Sequence, residues 1–322
     1  MFARLSVVIC SHNPRPAYLV RVLDALRTQS LPFENWELLL IDNASKDGLA
    51  SQFDIGWHPR GRHVREEQIG LTAARVRGIK ESFGDIIVFV DDDNLLAPDY
   101  LEQTLRISES WPALGAWGGQ CIPEFEQPPA EWTRRYWNWI ALCEVDRDRW
   151  SNLATDTAAM PYGAGMCVRR CVANHYQLKL GRDPNRPTLD RTGDLLIAGG
   201  DTDMCLSSCD LGLGNGQFTA LTLTHLIPAG RLEESYLLRL VESMTYSSAL
   251  LRYFLGIRPS RPSRAQRLLK WYESLFVPER DRRFDKAREH GLASACREVE
   301  RLEARYAAGP PTVSTSASRT QN

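Results

Sequence analysis

Three consecutive carboxylates, Asp91, Asp92 and Asp93, close the run IIVFVDDDN at residues 86–94. Like charges this close repel one another, and each loses hydration on burial, so a bound divalent cation would account for them economically. In extended backbone Asp91 and Asp93 point to one side and Asp92 to the other. The alternative is a solvated turn that caps the next helix, a role that Pro98 and Asp99 also suit. Further acids stand at Asp42, directly after WELLLI, and at Asp201 and Asp203 in GGDTD. A carboxylate can help hold a hard cation or take the proton of a hydroxyl.

These residues need elements to position them. LSVVIC (Leu5–Cys10), WELLLI (Trp36–Ile41) and the apolar part of the acidic run read as strands buried on both faces. Between them lie two helices. Tyr18–Gln29 carries Leu19, Val22, Leu23 and Leu26 on one face, and Leu71–Ser82 leads into the acidic strand. Alternating strands and helices predict an α/β fold with a mostly parallel, Rossmann-like sheet, and ligands of such sheets gather at the carboxyl ends of the strands. Leu101–Ser110 is a further helix, and Ala113–Cys121 returns to the sheet. Residues 124–152 hold Trp132, Trp137, Trp139 and Trp150 among several arginines, which suits a sugar-stacking or membrane-interface surface as well as core packing. Gly181–Gly193 is a polar loop with the composition of a mobile lid, and Leu232–Leu255 reads as one or two helices. The tail from Gly309 is expected to be disordered.

At 322 residues with 25% charged and 43% hydrophobic residues, the composition is that of a soluble globular protein. A formal net charge of −1 gives no reason to invoke nucleic acid. The eight cysteines have no scaffold spacing and predict reduced thiols and a cytoplasmic setting; Cys167/Cys171 with Cys205/Cys209 is only a weak zinc pattern. The N-terminus lacks a long apolar leader, and no stretch approaches the ~18 apolar residues of a membrane span. Between Arg258 and His290 ten Lys/Arg face five Asp/Glu, interleaved with Trp271, Tyr272 and Phe276. That segment suits peripheral contact with the inner face of the cytoplasmic membrane as well as a solvated helix.

LSVVICSHN, Asp42, EEQIGLTAARVRGIKES before FVDDDN, YGAGMCVRR and GGDTDMCLSSCDLG follow one another in an order that resembles the family 2 glycosyltransferases, which have the GT-A fold and invert at the anomeric carbon. The resemblance covers about residues 4–240. It implies a GT-A domain over 1–240, with a nucleotide-sugar-binding half (1–120) and an acceptor half (121–240), followed by a helical extension (241–306) and the tail (307–322). It also implies a nucleotide-sugar donor, UDP-sugar favoured, and a carbohydrate or lipid-linked acceptor of cell-surface polysaccharide or glycolipid synthesis.

By the same resemblance Asp42 contacts the nucleobase, with His12 and Asn13 beside it, although Asp42 could instead cap the turn 43–48. Arg75 steadies phosphate, or else pairs with Glu66 or Glu67 at the surface. Asp91 and Asp93 bind Mn²⁺ or Mg²⁺, His225 of LTLTHLIP is a third ligand, and Asp92 belongs with the donor-binding residues. Asp201 is the catalytic base and Asp203 the reserve, with Gly200 standing where relatives carry Glu. Gly163 and Gly165 let backbone approach the sugar.

Other readings fit less well. SHNPRP is a poor phosphate loop for a nucleotidyltransferase, and GAGMCV lacks the third glycine of a dinucleotide fingerprint. A haloacid-dehalogenase-type phosphatase carries its aspartates after the first strand. A nucleotide-sugar-binding protein without turnover rests on Gly200 alone.

Overall fold

The computed structural model describes residues 4–183, 186 and 196–308; most of the lid candidate, and the tail from Gly309, lie outside these residues. The first half is built as the apolar runs dictate. Strands β1 (Leu5–Ser11), β2 (Trp36–Asn43), β3 (Gly61–Glu66) and β4 (Ile86–Asp91) pair in parallel in the order β3-β2-β1-β4. They alternate with helices α1 (Pro16–Arg27) and α2 (Leu71–Glu81). Strand β3, sequence GRHVRE, has no apolar run to mark it: it is the edge of the sheet and half-exposed.

Both faces of these strands are buried because alternate residues serve opposite layers. Val7, Ile9, Leu38, Leu40, Val88 and Val90 pack with Leu19, Val22, Leu23 and Leu26 of α1, and with Leu101 and Leu105 of α3 (Tyr100–Ser110). Val8, Leu39, Ile41, Ile87 and Phe89 face the other way, onto α2, α4 (Arg170–Arg182) and α5 (Gly200–Asp210).

Beyond β4 the sheet becomes mixed. After β4 the chain turns through Asp92 and Asp93 into the short β5 (Asn94–Leu96). The long β6 (Leu114–Phe125) and β9 (Gly214–Ile227) run parallel, and β8 (Cys167–Arg169) lies antiparallel between β4 and β6. Strands β5 and β7 (Arg149–Ser151) each pair antiparallel with β9. Glu131–Ile140 forms 3₁₀ turns on which Trp132, Trp137 and Trp139 lean against the core, so packing claims most of the indole surface in this segment. Trp150 is the exception, 45% exposed beside Trp111.

One continuous helix, α6 (Glu234–Phe254), crosses residue 240 with Leu237, Leu240 and Val241 in the main core, so the helical extension begins inside an element of the first unit. It is followed by α7 (Arg264–Ser274) and α8 (Glu279–Ala308), which returns along α6 through Leu250, Val299 and Leu302.

Helix α2 comes close to β1 at Gly78, where an added Cβ would stand 2.4 Å from Val8 Cγ1. Helix propensity favours alanine there by roughly 0.5–1 kcal/mol, but the buried valine cannot yield, and overpacking costs about 1–3 kcal/mol. Gly78→Ala is therefore expected to lower the urea midpoint; a raised midpoint would contradict the packing.

Candidate functional site

The parallel strands end level with one another: Ser11 is paired with Asp42, and Cys10 with Asp91. Above these ends lies a cleft of about 380 Å³ that gathers His12, Arg75, Asp91, Asp92, Asp93, Gly163, Asp201 and His225. Four sequence-predicted residues, Asn13, Asp42, Gly165 and Asp203, are not among its lining.

The turn after β4, rather than strand alternation, separates the three acids. Asp92 accepts a 2.6 Å hydrogen bond from the Ser11 hydroxyl at the end of β1. Asp93 is brought to β9 by the pairing of Asn94 with His225, and its carbonyl accepts the Leu226 N–H at 2.9 Å. His225 Nε2 consequently lies 3.4 Å from Asp93 Oδ2.

Arg231 completes this corner. Its Nη2 is 3.1 Å from Asp93 Oδ2, and its Nη1 donates to His225 Nε2 at 3.0 Å. A guanidinium has only donors, so Nε2 is the acceptor and the imidazole proton sits on Nδ1, which is buried without a partner among the described residues. Burial opposes the Arg231 charge, but Asp93, Tyr236, Asp92 and Asp91 raise its pKa regardless. Sequence reasoning missed Arg231 because it lies in a short 3₁₀ turn, Ala229–Leu232, with no motif around it.

Loss of hydration, then the charges of Asp93 and Asp91, push the Asp92 carboxyl up to about 7, despite the Ser11 hydrogen bond and Arg231. Carboxylates with an imidazole suit Mg²⁺ or Mn²⁺. Among the described residues no three His, Cys, Asp or Glu side chains enclose a common point, and Arg231 spans Asp93 and His225. The donor set thus fits a cation that shares its coordination with a diphosphate, as one or two carboxylates suffice there.

The opposite wall is made by α5. Asp201, in its first turn, accepts the Gly163 N–H at 3.0 Å and its own neighbour Thr202 N–H at 2.8 Å. A Cβ at Gly163 would meet Arg75 Nη2 at 2.7 Å and Asp201 Oδ2 at 3.1 Å, so glycine lets the loop, the guanidinium and the carboxylate meet. Arg75 is buried and lies over Phe89, 5.9 Å from the ring centre. Asp203 turns away, buried, with Oδ1 held by Arg186 at 2.6 Å and Lys179 at 3.3 Å. Gly165 adopts φ +70° and receives the Tyr100 hydroxyl on its carbonyl at 2.7 Å; its glycine requirement is structural.

Asp42 caps the turn behind the cleft. It accepts the N–H groups of Ser45 (2.9 Å) and Leu49 (3.2 Å) and an Arg65 N–H (2.7 Å). Burial would raise its pKa, but these bonds outweigh burial and hold it below the usual carboxylate range. His12 Nδ1 donates to the Asn43 carbonyl at 2.6 Å, leaving Nε2 to accept from Asn13 Nδ2 at 2.9 Å. Asn13, at φ 48°, in turn accepts the Lys46 N–H at 2.9 Å.

The glycosyl transferase family 2 sequence model matches residues 6–166, which is half of the chain and carries both the acidic strand end and Gly163. The chain belongs to glycosyl transferase family 2. Its fold is that of the GT-A glycosyltransferases. A mannosyltransferase from Pyrobaculum calidifontis, solved in complex with GDP-Man and Mn²⁺, superposes with a TM-score of 0.53 at 18% identity, over 96% of this chain and 80% of that one. A putative glycosyltransferase of Bacillus subtilis, EpsH, is 30% identical over 105 residues, 32% of this chain and 29% of its own length. The glucosyl-dolichyl phosphate glucuronosyltransferase of Haloferax volcanii is 23% identical over 189 residues, 56% of this chain and 58% of its own. The matches thus span less than two thirds of either curated relative.

The raised Asp92 carboxyl gives a signed pH dependence. The folded state holds a proton that the unfolded chain, near pH 4, has released, so metal-free protein should lose stability as pH rises from about 4 to about 7. Asp92→Asn should flatten that decline in thermal unfolding scans, whereas an unchanged slope would mean the acids do not repel as their placement requires.

Proposed function

We propose that this glycosyltransferase moves a sugar, with inversion, from a nucleotide-sugar donor to an acceptor hydroxyl, assisted by Mg²⁺ or Mn²⁺. The observation that carries the reading is the meeting, across one cleft, of the acidic strand end with Asp201, which is held by the Gly163 N–H on the far wall. The likeness to a fold that holds GDP-Man and Mn²⁺ in another protein supports it.

Asp91 and Asp93 are the carboxylates that would hold the cation together with diphosphate oxygens, and His225, 3.4 Å from Asp93, would join them only once Arg231 has left. A cation held there would supply positive charge against the negative charge that builds on the leaving group. Arg231 then exchanges partners, leaving Asp93 and His225 for phosphate oxygens, and Arg75 approaches from the opposite side. Asp201 takes the acceptor hydroxyl proton as that oxygen attacks the anomeric carbon; the bond to the diphosphate breaks, and its electron pair leaves with the nucleotide. With one base and one displacement, the configuration inverts.

His12 and Asn13 lie at the nucleobase end. Asp42 already receives the Ser45 and Leu49 N–H groups, an Arg65 N–H and the Ser45 side chain, so it serves mainly to hold the turn 45–49 that shapes this end. UDP is the first nucleotide to test. The acceptor side is assigned to a carbohydrate or lipid-linked hydroxyl of cell-surface polysaccharide or glycolipid synthesis, at the inner face of the cytoplasmic membrane.

Two substitutions separate the acids of α5. Asp201→Asn should keep the donor-induced thermal shift and lower transfer by roughly 10²–10⁴-fold. Asp203→Asn should retain turnover in the folded fraction but lower stability, because Arg186 and Lys179 lose their buried partner. The reverse pattern would reassign the base. Screening UDP-, GDP-, dTDP- and CMP-sugars by thermal shift, with Mn²⁺ and with EDTA, identifies the donor: one nucleotide should stabilise only with metal. No shift with any of them would count against the donor reading.

A further inference from the structure

The most exposed apolar surface of the described protein lies away from the cleft lining, on α7 and the turn that follows it. Sixteen large hydrophobic side chains are exposed among the described residues, and six of them fall between Leu268 and Phe276. Leu268 is 68% exposed, Trp271 61% and Phe276 75%. At 100° per residue, Leu268, Leu269, Trp271, Tyr272, Leu275 and Phe276 cover an unbroken arc of about 160°.

This helix is specified locally. Ser263 and Gln266 form a capping box, with the Gln266 N–H donating to Ser263 Oγ at 3.2 Å and the Ser263 N–H to Gln266 Oε1 at 2.8 Å. Such a cap stabilises the start of a helix, so the chain forms a helix whose apolar arc it leaves uncovered. Both flanks are fastened. Arg258 pairs bidentately with Glu303 at 2.9 and 2.8 Å. Beyond α7, Arg135 binds Asp281 at 2.6 Å, Arg280 lies over Trp132 at 4.3 Å, and Phe284 stacks on Tyr136 at 4.2 Å. Trp132, Arg135 and Tyr136 belong to the same 3₁₀ segment whose Asn138, Trp139 and Ile140 line the cleft. The exposed arc is therefore carried next to one lip of the site.

Charge chooses the partner. From Arg258 to Phe276 the sequence has five Lys/Arg and one acid, Glu273. Tryptophan and tyrosine with leucine on a basic helix match the boundary between headgroups and acyl chains, and each basic residue near an anionic leaflet adds electrostatic attraction. No described helix is long and apolar enough to cross a membrane. We infer that α7 is an interfacial helix that lies in the headgroup layer of an anionic bilayer and holds the adjacent cleft lip at the membrane surface. Membrane docking itself is independent of the glycosyl-transfer reading; delivery of a lipid-linked acceptor to the cleft rests on that reading.

The test is co-sedimentation of the full chain with phosphatidylcholine vesicles, alone or with 30% phosphatidylglycerol (about one lipid in three, enough for a strong anionic potential). Binding should appear only with the anionic lipid and weaken at high salt. The double variant Leu268→Asp/Phe276→Asp should bind at least tenfold more weakly while keeping the wild-type thermal shift with nucleotide sugars. Both residues are exposed and outside the site, so folding should survive, and the shift reports on the cleft independently. Wild-type protein that stays in the supernatant at low salt would overturn the inference, as would equal pelleting of the variant. So would light scattering that shows a dimer dissolved by the same substitutions, because the arc would then be a subunit interface.

Discussion

Three carboxylates crowded at the mouth of a buried strand are the constraint around which the rest of the site is organised. Stripped of hydration and crowded by its neighbours, Asp92 keeps a proton it would otherwise lose and is pushed up to about 7 even with Ser11 and Arg231 beside it. The fold answers with two devices. Ser11 at the end of β1 donates to Asp92, and the pairing of β5 with β9 carries Asp93 under Arg231 and His225. A guanidinium is a tethered counter-charge that can be exchanged for a mobile one. In the proposed function that exchange would be made with a ligand bringing both a cation and phosphate oxygens.

The far wall is organised by close backbone approach. Gly163 brings its N–H to Asp201 and leaves space for Arg75, so a base candidate and a phosphate-binding candidate share one small loop. Asp203, two residues on, is turned into the protein by Arg186 and Lys179. Successive acids in the first turn of a helix thus have different fates because each residue advances 100° around the axis. With Gly200 beside it, Asp201 is oriented by the backbone N–H groups of Gly163 and Thr202 and by the Thr202 hydroxyl at 3.5 Å.

Strong local patterns were legible in the sequence. The runs at Leu5, Trp36 and Ile86 and the helical face from Leu19 to Leu26 fixed the parallel half of the sheet, and the family's motif order located most of the cleft. What escaped depends on tertiary pairing. Strand β3 is an edge on which only Val64 packs against the core while Arg62 and Arg65 form ion pairs, so no apolar run marks it. Arg231 acts only because β9 places its turn over Asp93, a proximity across 138 positions that no local pattern encodes. The arrangement of Asp91 to Asp93 follows from a turn into β5, where strand alternation would put Asp91 and Asp93 on one side and Asp92 on the other. The tryptophans of 132–139 were ambiguous in sequence because an indole serves core packing and sugar stacking equally well, and tertiary packing resolved most of it: Trp132 meets Phe284 of α8, Trp137 meets Phe125 of β6, and all three lean on the core.

The central claim is that cation and nucleotide bind as one unit at the acidic strand end, each needing the other. Mn²⁺ binding followed by electron paramagnetic resonance, with and without nucleoside diphosphate, tests this directly. The account predicts weak Mn²⁺ binding by the protein alone, at least tenfold tighter binding with the matching nucleotide, and loss of that gain in Asp91→Asn and Asp93→Asn; tenfold corresponds to about 1.4 kcal/mol of coupling. Tight Mn²⁺ binding without nucleotide, or nucleotide affinity unchanged by metal and by both substitutions, would contradict it.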